Sequence, residues 1–158
     1  MRRICTPIAV AVLTVSLCAA LAGTAAGAPA TRTQASGTIT LASNTVKTTK
    51  QAGGNTSIEA VAVVDLDGTL VGPAVEFYTS VAHANGKTNQ HGTGIFTGTV
   101  AGRTGTIEYV FRGDATSGVI SITGGTGELS GAHGKLAYTL VSTSPAAVFD
   151  YSGYVFFT

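Results

Sequence analysis

Hydrophobic and polar residues alternate along much of the chain with a period of two, the spacing of a β-strand with one face in a core. Ile107, Tyr109 and Phe111 share one face of such a stretch, whereas Glu108 and Arg112 share the other. The same alternation recurs at Leu136, Tyr138 and Leu140, and at Phe149, Tyr151, Val155 and Phe157. Beyond residue 30 no segment keeps an apolar period of 3.6, so an all-β fold with minimal helix is predicted.

Runs rich in Val, Ile, Thr, Tyr and Phe are separated by Gly, Asn and Asp, as expected for short strands joined by turns. The predicted strands are Ser36–Ser43, a weaker Val46–Lys50, Ile58–Leu66, Ala74–Ala82, Thr93–Val100, Thr104–Arg112, Ser117–Thr123, Gly134–Ser142 and Phe149–Phe157. Tight turns are predicted at Asn85-Gly86, Ala101-Gly102-Arg103 and Gly113-Asp114. Closure would remove the free edges of such strands, which predicts an eight-stranded antiparallel barrel; a β-sandwich is the alternative.

Residues 1–30 have the three-part pattern of a secretory signal peptide. A basic start, Met1-Arg2-Arg3, precedes an apolar run, Ile8–Ala22, and Ala28-Pro29-Ala30 forms an A-x-A cleavage site. We therefore predict cleavage after Ala30 and secretion. The apolar run is shorter than the ~20 residues that span a bilayer, so no stable membrane span is expected in the mature form.

The mature chain is predicted to consist of a flexible lead-in, residues 31–35, and one β-barrel domain, residues 36–158. Both cysteines, Cys5 and Cys18, lie in the signal segment, so the mature protein is expected to contain no disulfide. Its seven basic and eight acidic residues are scattered singly. Because there is no basic face to neutralise phosphates, nucleic acid is excluded as an expected partner.

The acidic sequence Asp65-Leu66-Asp67-Gly68-Thr69 follows an apolar run. It resembles the first motif of the haloacid-dehalogenase phosphatases, in which the first Asp is the nucleophile. Such an enzyme needs an α/β domain and a downstream acidic pair for magnesium, and the acids after Leu70 are unpaired. We interpret the motif as the strand Ile58–Leu66 running into an Asp-Gly turn.

No other motif points to catalysis or to a cofactor. His83, His91 and His133 lack the spacing that lets one element supply two metal ligands, so they are expected on surface loops and no metal is predicted. The chain contains no G-x-S-x-G elbow, and Gly125-Thr126-Gly127 lacks the third glycine of a dinucleotide site.

Two glycine-rich segments carry a family resemblance. "GGTGELSGAHGKLAYT", Gly124–Thr139, resembles a segment of dirigent proteins and of the wider allene-oxide-cyclase-like barrels. "FTGTVAGRTGTIEYVFRG", Phe96–Gly113, followed by that segment, is closer to the DUF3224 proteins, a bacterial family of unassigned function. The resemblance implies an eight-stranded barrel whose lumen takes a small apolar molecule. It also implies self-association, since related barrels often form homo-oligomers.

Alternation assigns five aromatic residues to the barrel interior as predicted ligand-binding residues. They are Phe77, Tyr109, Phe111, Tyr138 and Tyr151. Glu76 and Tyr78 are the alternative polar pair on one strand. If their face points inward, a buried carboxyl beside a phenol becomes a candidate general acid or base.

Three functions remain open, and the sequence favours a non-enzymatic protein over an enzyme. The first is a secreted barrel that binds a small hydrophobic molecule or another protein. The second is a cyclase or isomerase of the allene-oxide-cyclase or dirigent type, acting by positioning. The third is an envelope-associated structural protein. A buried acid facing aromatics in an open lumen would favour the second, an apolar lumen the first, and a filled lumen the third.

Overall fold

A computed structural model describes residues 31–158, and within this range the chain forms eight β-strands and no helix. The strands are β1 (Thr33–Ala52), β2 (Asn55–Gly68), β3 (Leu70–Ala82), β4 (Thr88–Val100), β5 (Arg103–Gly113), β6 (Ser117–Gly127), β7 (Ala132–Ser142) and β8 (Val148–Phe157). Each strand pairs antiparallel with the next, and β8 pairs back with β1 to close the sheet. The prediction of an eight-stranded antiparallel barrel is confirmed.

The first strand differs from its prediction in two ways. Ser36–Ser43 and Val46–Lys50 belong to one continuous strand, because β-bulges at Leu41/Ser43 and Val46/Thr48 absorb the breaks in alternation. Residues 33–35, predicted as a flexible lead-in, form the start of β1 and pair with residues 153–155 of β8. Ala35 is fully buried there, which explains why this segment is ordered.

Side chains from every strand fill one half of the barrel. Phe96, Ile107, Leu136 and Val155 are almost completely buried in this half. Leu129, from the connection between β6 and β7, is also fully buried. The remaining void is about 10 Å³, roughly the space that one water needs. This half is therefore a packed hydrophobic core.

The outer surface carries an apolar area on β2 to β5. Phe77 was predicted to face the lumen, and this is wrong, because its side chain is 54% exposed on the outside of β3. Its cross-strand partner is Val61, and the next outward residue of β3, Val75, pairs with Ile95. Val75 and Phe77 are apolar, so their face of β3 looks like a core face in the sequence. In the structure this face lies on the outside of the barrel, beside apolar residues of the neighbouring strands.

The predicted signal peptide and both cysteines lie outside the described residues. Within residues 31–158, no helix is long and apolar enough to cross a membrane.

Candidate functional site

The other half of the barrel contains a cavity that opens at one end. Its volume is about 190 Å³, and all eight strands contribute to its wall. The connections from β5 to β6 and from β7 to β8 lie at this open end, which we call the mouth. Glu76 borders both this cavity and the small void in the packed half, so it forms part of the cavity floor.

A glycine on β4 allows Glu76 to find a partner two strands away. The register aligns Glu76 on β3 with Gly94 on β4, and Gly94 with Tyr109 on β5. A Cβ atom at Gly94 would overlap the ring of Tyr109, so the ring lies across the space that a side chain would occupy. The Tyr109 hydroxyl thereby donates a 2.8 Å hydrogen bond to Oε1 of Glu76.

Burial governs the protonation of this pair. Removal from water raises the pKa of Glu76 above its ordinary value, and the hydrogen bond from Tyr109 opposes the shift without cancelling it. Burial, followed by the charge of Glu76 and by the hydrogen bond to it, raises the pKa of Tyr109 far above that of a free phenol. Tyr109 therefore stays a neutral donor, and Glu76 holds its proton to a higher pH than an exposed glutamate does.

A second set of three aligned residues on β3, β4 and β5, again with a glycine in the middle, lies nearer the mouth. Tyr78 on β3, Gly92 on β4 and Phe111 on β5 are aligned by the register. A Cβ at Gly92 would lie 2.9 Å from Cε1 of Phe111, and the Tyr78 and Phe111 ring centroids are 6.3 Å apart. Asn44 of β1 donates a 2.8 Å hydrogen bond to the Tyr78 hydroxyl. The two rings and the amide form one side of the cavity.

Tyr138 and Phe149 form the opposite side of the cavity. Their ring centroids are 5.7 Å apart in an edge-to-face arrangement, which is a favoured geometry for aromatic pairs. The Tyr138 ring extends over Gly118 of β6, its partner in the register. Burial, with a smaller contribution from the charges of Glu76 and Asp114, raises the pKa of Tyr138 to about 12.

The structure separates the five aromatic residues predicted to bind a ligand into three groups. Phe111 and Tyr138 line the cavity. Tyr109 is interior but lies in the packed half, where it reaches the cavity only through Glu76. Tyr151 is also interior, yet its hydroxyl is engaged by the backbone, accepting from the Leu70 amide at 2.9 Å. Phe77 lies outside the barrel.

The alternative pair is the one that the structure brings to the cavity. Glu76 and Tyr78 both line it, because the even-numbered positions of β3 face inward. Sequence reasoning missed Asn44, Gln90 and Phe149, which also contribute to the wall. Phe149 lies two residues before Tyr151 on the same strand, so its position in the cavity wall could have been inferred from the alternation. Asn44 could not, because the bulge at Leu41/Ser43 shifts the phase of β1.

The acidic motif at the end of β2 takes no part in the cavity. Asp65 and Asp67 are exposed, and Oδ1 of Asp67 accepts a 2.9 Å hydrogen bond from the Gly68 amide. β2 continues to Gly68, and a single residue, Thr69, connects it to β3. Within the described part of the chain, no three His, Cys, Asp or Glu residues are grouped so as to hold a metal ion.

Comparison with known proteins supports the fold. No protein-family model and no curated protein matches the chain. A crystal structure of a DUF3224-family protein of unknown function from Shewanella oneidensis MR-1 is similar, with a TM-score of 0.68 and 18% identity over 81% of this chain and all of that one. The expected resemblance to DUF3224 barrels is thus confirmed at the level of the fold.

Two dirigent proteins have similar folds as well. The pterocarpan synthase dirigent protein GePTS1 has a TM-score of 0.58 and 14% identity, over 81% of this chain and 89% of its own. The pterocarpan synthase dirigent protein PsPTS1 has a TM-score of 0.54 and 15% identity, over 80% and 96%. The dirigent-like architecture is therefore confirmed, and these identities extend the likeness no further than the fold.

Proposed function

We propose that this protein is an exported β-barrel that holds one small, mostly apolar molecule in the open half of its lumen. The observation that carries the proposal is the cavity of about 190 Å³, which opens at the mouth although the other half of the same barrel is tightly packed. An eight-stranded barrel either fills its interior or leaves room for one small ligand. In this barrel, side chains fill one half of the interior, and the other half leaves room for one small ligand.

The size and the lining of the cavity favour a compound with a single ring. An apolar protein cavity of about 150 Å³ accommodates benzene, and this one is somewhat larger. Its wall is mainly aliphatic and aromatic, with polar groups at Glu76, Tyr78, Asn44 and Gln90. A mostly apolar wall with a few polar groups is the usual composition of a small-molecule site, in which the polar groups orient the ligand.

Thermal unfolding with neutral single-ring probes tests the proposal. Benzyl alcohol and p-cresol should each raise the Tm by about 5 °C or more at a hundredfold excess over Kd, because they bind only the folded state. Ala62 is buried and lines the cavity, so Ala62→Leu should fill the site and remove the shift. Val63→Leu, on the outer side of the same strand, is the matched control. Equal shifts in both variants would contradict binding in the lumen.

Glu76 is a largely buried acid that faces aromatic residues in an open lumen, as expected for an isomerase or cyclase of dirigent type, and this is the second candidate. Binding is placed first because it requires only the cavity and no further reacting group. A carboxyl group that borders the cavity and has a raised pKa can keep its proton for transfer to a bound molecule. The two pterocarpan synthase dirigent proteins share the fold, which is compatible with such chemistry. An envelope-associated structural role has less support, because it gives no reason for the lumen to stay open.

Liquid chromatography coupled to mass spectrometry distinguishes the two candidates, because chromatography separates isomers of equal mass. The protein is incubated with small-molecule extracts of its own culture medium, and the compounds are compared before and after incubation. A binding protein should enrich a compound without changing it. An isomerase should convert a compound into another of equal mass, and Glu76→Gln should slow that conversion by at least about a hundredfold if Glu76 is the acid. Conversion at an unchanged rate would exclude Glu76 from that role.

A further inference from the structure

The cavity combines an acidic floor with aromatic walls. Four of its lining residues are aromatic, and they come from four different strands: Tyr78 from β3, Phe111 from β5, Tyr138 from β7 and Phe149 from β8. They form two pairs, with centroid separations of 6.3 Å and 5.7 Å. The face of an aromatic ring carries partial negative charge, so such a wall attracts a cation once water is excluded.

The carboxyl group of Glu76 has no basic partner in the described chain. Its Oε1 atom accepts from Tyr109, whereas Oε2 makes no hydrogen bond to residues 31–158 and is not sealed from the cavity. Among residues 31–158, no Lys, Arg or His lines the cavity. The ion pair found in the described range joins Lys50 to Glu59, both well exposed. A partly buried acid with a free oxygen facing a cavity is therefore available to a ligand.

A second negative group lies close to the mouth. Asp114 begins the connection from β5 to β6, next to Ala115 of the cavity wall. Its Oδ1 accepts hydrogen bonds from the hydroxyl and the amide of Thr116 and from the Ser117 amide, and these keep its pKa below the ordinary value. The charges of Glu76 and Asp114 both disfavour ionisation of Tyr138, so both are felt inside the cavity.

We propose that the lumen selects a small organic cation, with an apolar ring or a short alkyl body and one protonated or quaternary nitrogen. The nitrogen lies at the floor beside Oε2 of Glu76, where its positive charge favours the ionised form of the carboxyl group over the neutral form that burial favours. The body lies between the two aromatic pairs, which stabilise the positive charge through their faces. Anionic molecules of the same shape are repelled by the same groups. This inference rests on the proposed binding function.

Three ligands that share one ring but differ in charge test the inference on the intact mature protein. Benzylamine is protonated at neutral pH, benzyl alcohol is neutral and benzoate is anionic. Calorimetric titration should give an affinity for benzylamine at least about tenfold higher than for benzyl alcohol, with benzoate the weakest. Benzyltrimethylammonium, which has no N–H to donate, separates the contribution of the ring faces from that of a hydrogen bond to Glu76.

Two matched variants test whether selectivity for a cation comes from Glu76 at the cavity floor. Glu76→Gln keeps the shape and the acceptor for Tyr109, so it should weaken benzylamine by about tenfold and leave benzyl alcohol within about twofold. Glu108→Gln removes the same charge from the exposed side of β5 and should change neither affinity.

The outcomes separate failure of the inference from failure of the proposed function. If benzyl alcohol binds as tightly as benzylamine, or if Glu108→Gln weakens benzylamine as much as Glu76→Gln does, cation selection is wrong and binding in the lumen stands. If none of the ligands binds, both are wrong. Far-UV circular dichroism of each variant ensures that an unfolded sample is not counted as a result.

Discussion

Glu76 is a carboxyl group at a place in the protein where little water is available to stabilise its charge. The chain supplies one hydrogen bond, from Tyr109, and no cation from residues 31–158 pairs with it. The two oxygens therefore have different surroundings, one held by a phenol and the other facing the cavity. If the proposed binding function is correct, the stability of the protein and its affinity for small molecules depend on the same protonation equilibrium, that of Glu76.

Replacement of Glu76 should change how stability depends on pH. Because the folded pKa of Glu76 is raised, its contribution to stability is complete below the unfolded value of about 4.3 and is lost as the pH rises through the folded pKa. Glu76→Gln should remove this loss and be more stable than the wild type at neutral pH. Urea unfolding at a series of pH values measures it, with Glu108→Gln as the control. A wild type that gains stability over the same range relative to Glu76→Gln would contradict the raised pKa.

At the scale of the strand, β4 shows why an interior glycine can be as informative as an aromatic residue. Gly92 and Gly94 face inward. A Cβ at Gly94 would overlap the ring of Tyr109, and one at Gly92 would be too close to the backbone and Cβ of β3 and to the ring of Phe111. Tyr138 uses Gly118 in the same way. Interior glycines of the barrel therefore determine how far the neighbouring aromatic side chains reach across the lumen, a role distinct from that of the glycines in turns.

Alanine at Gly94 should disturb the site from within β4. The added methyl overlaps the ring of Tyr109, so Gly94→Ala should cost about 1–3 kcal/mol of unfolding free energy and displace the hydroxyl from Glu76. Gly124→Ala is the matched control. A Cβ there meets nothing within 4 Å, and its φ is not positive, so the free energy of unfolding should rise by about 0.4–1 kcal/mol. Equal effects at both positions would contradict the packing described for Tyr109.

Two phenylalanines on opposite faces of the barrel wall allow a further prediction about binding. Phe111 lines the cavity, whereas Phe77 is exposed on the outside of β3. Phe111→Leu removes a ring face and should weaken benzylamine by about three- to tenfold, whereas Phe77→Leu should leave its affinity unchanged. Calorimetric titration of both variants checks this. A loss of affinity in Phe77→Leu alone would place the site on the outer surface.

At the scale of the whole molecule, the sequence was sufficient for the architecture and insufficient for the cavity. Alternation in β5, β7 and β8 led to a barrel and to the inward positions of Phe111 and Tyr138, because the inward side chains of those strands are apolar or aromatic and most of the outward ones on β5 and β7 are polar. β3 inverts the pattern, with Glu76 inside and Phe77 outside, so its faces were assigned the wrong way round. On β3 the polar side chains line the cavity and the outer surface is apolar, so alternation assigns the two faces incorrectly.

The proposed export of the chain gives a prediction about its processing. β1 begins at Thr33, so cleavage after Ala30 would leave two residues, Thr31 and Arg32, before the barrel. The mature protein should therefore start at Thr31, and Ala30→Arg should prevent processing by occupying the small-residue position of the cleavage site. Intact mass and N-terminal sequencing of secreted material decide this. A mature start inside β1 would contradict it, since the pairing with β8 would be lost.

The two neighbours of β1 in the barrel accompany it over different parts of its length. β1 pairs with β8 from Thr33 to Thr40, while β2 accompanies β1 as far as Ala52. Beyond the hydrogen bond from the Leu41 amide to the Ala147 carbonyl, β1 and β8 are no longer paired within the described chain. We call this unpaired edge of β1 the seam, and Asn44 lies beside it. Because β1 and β8 are not paired there, β1 and β2 can bend outward without breaking a backbone hydrogen bond between β1 and β8. Under the proposed binding function, an outward bend of β1 and β2 along this seam would make room for a ligand longer than the cavity of about 190 Å³ accommodates.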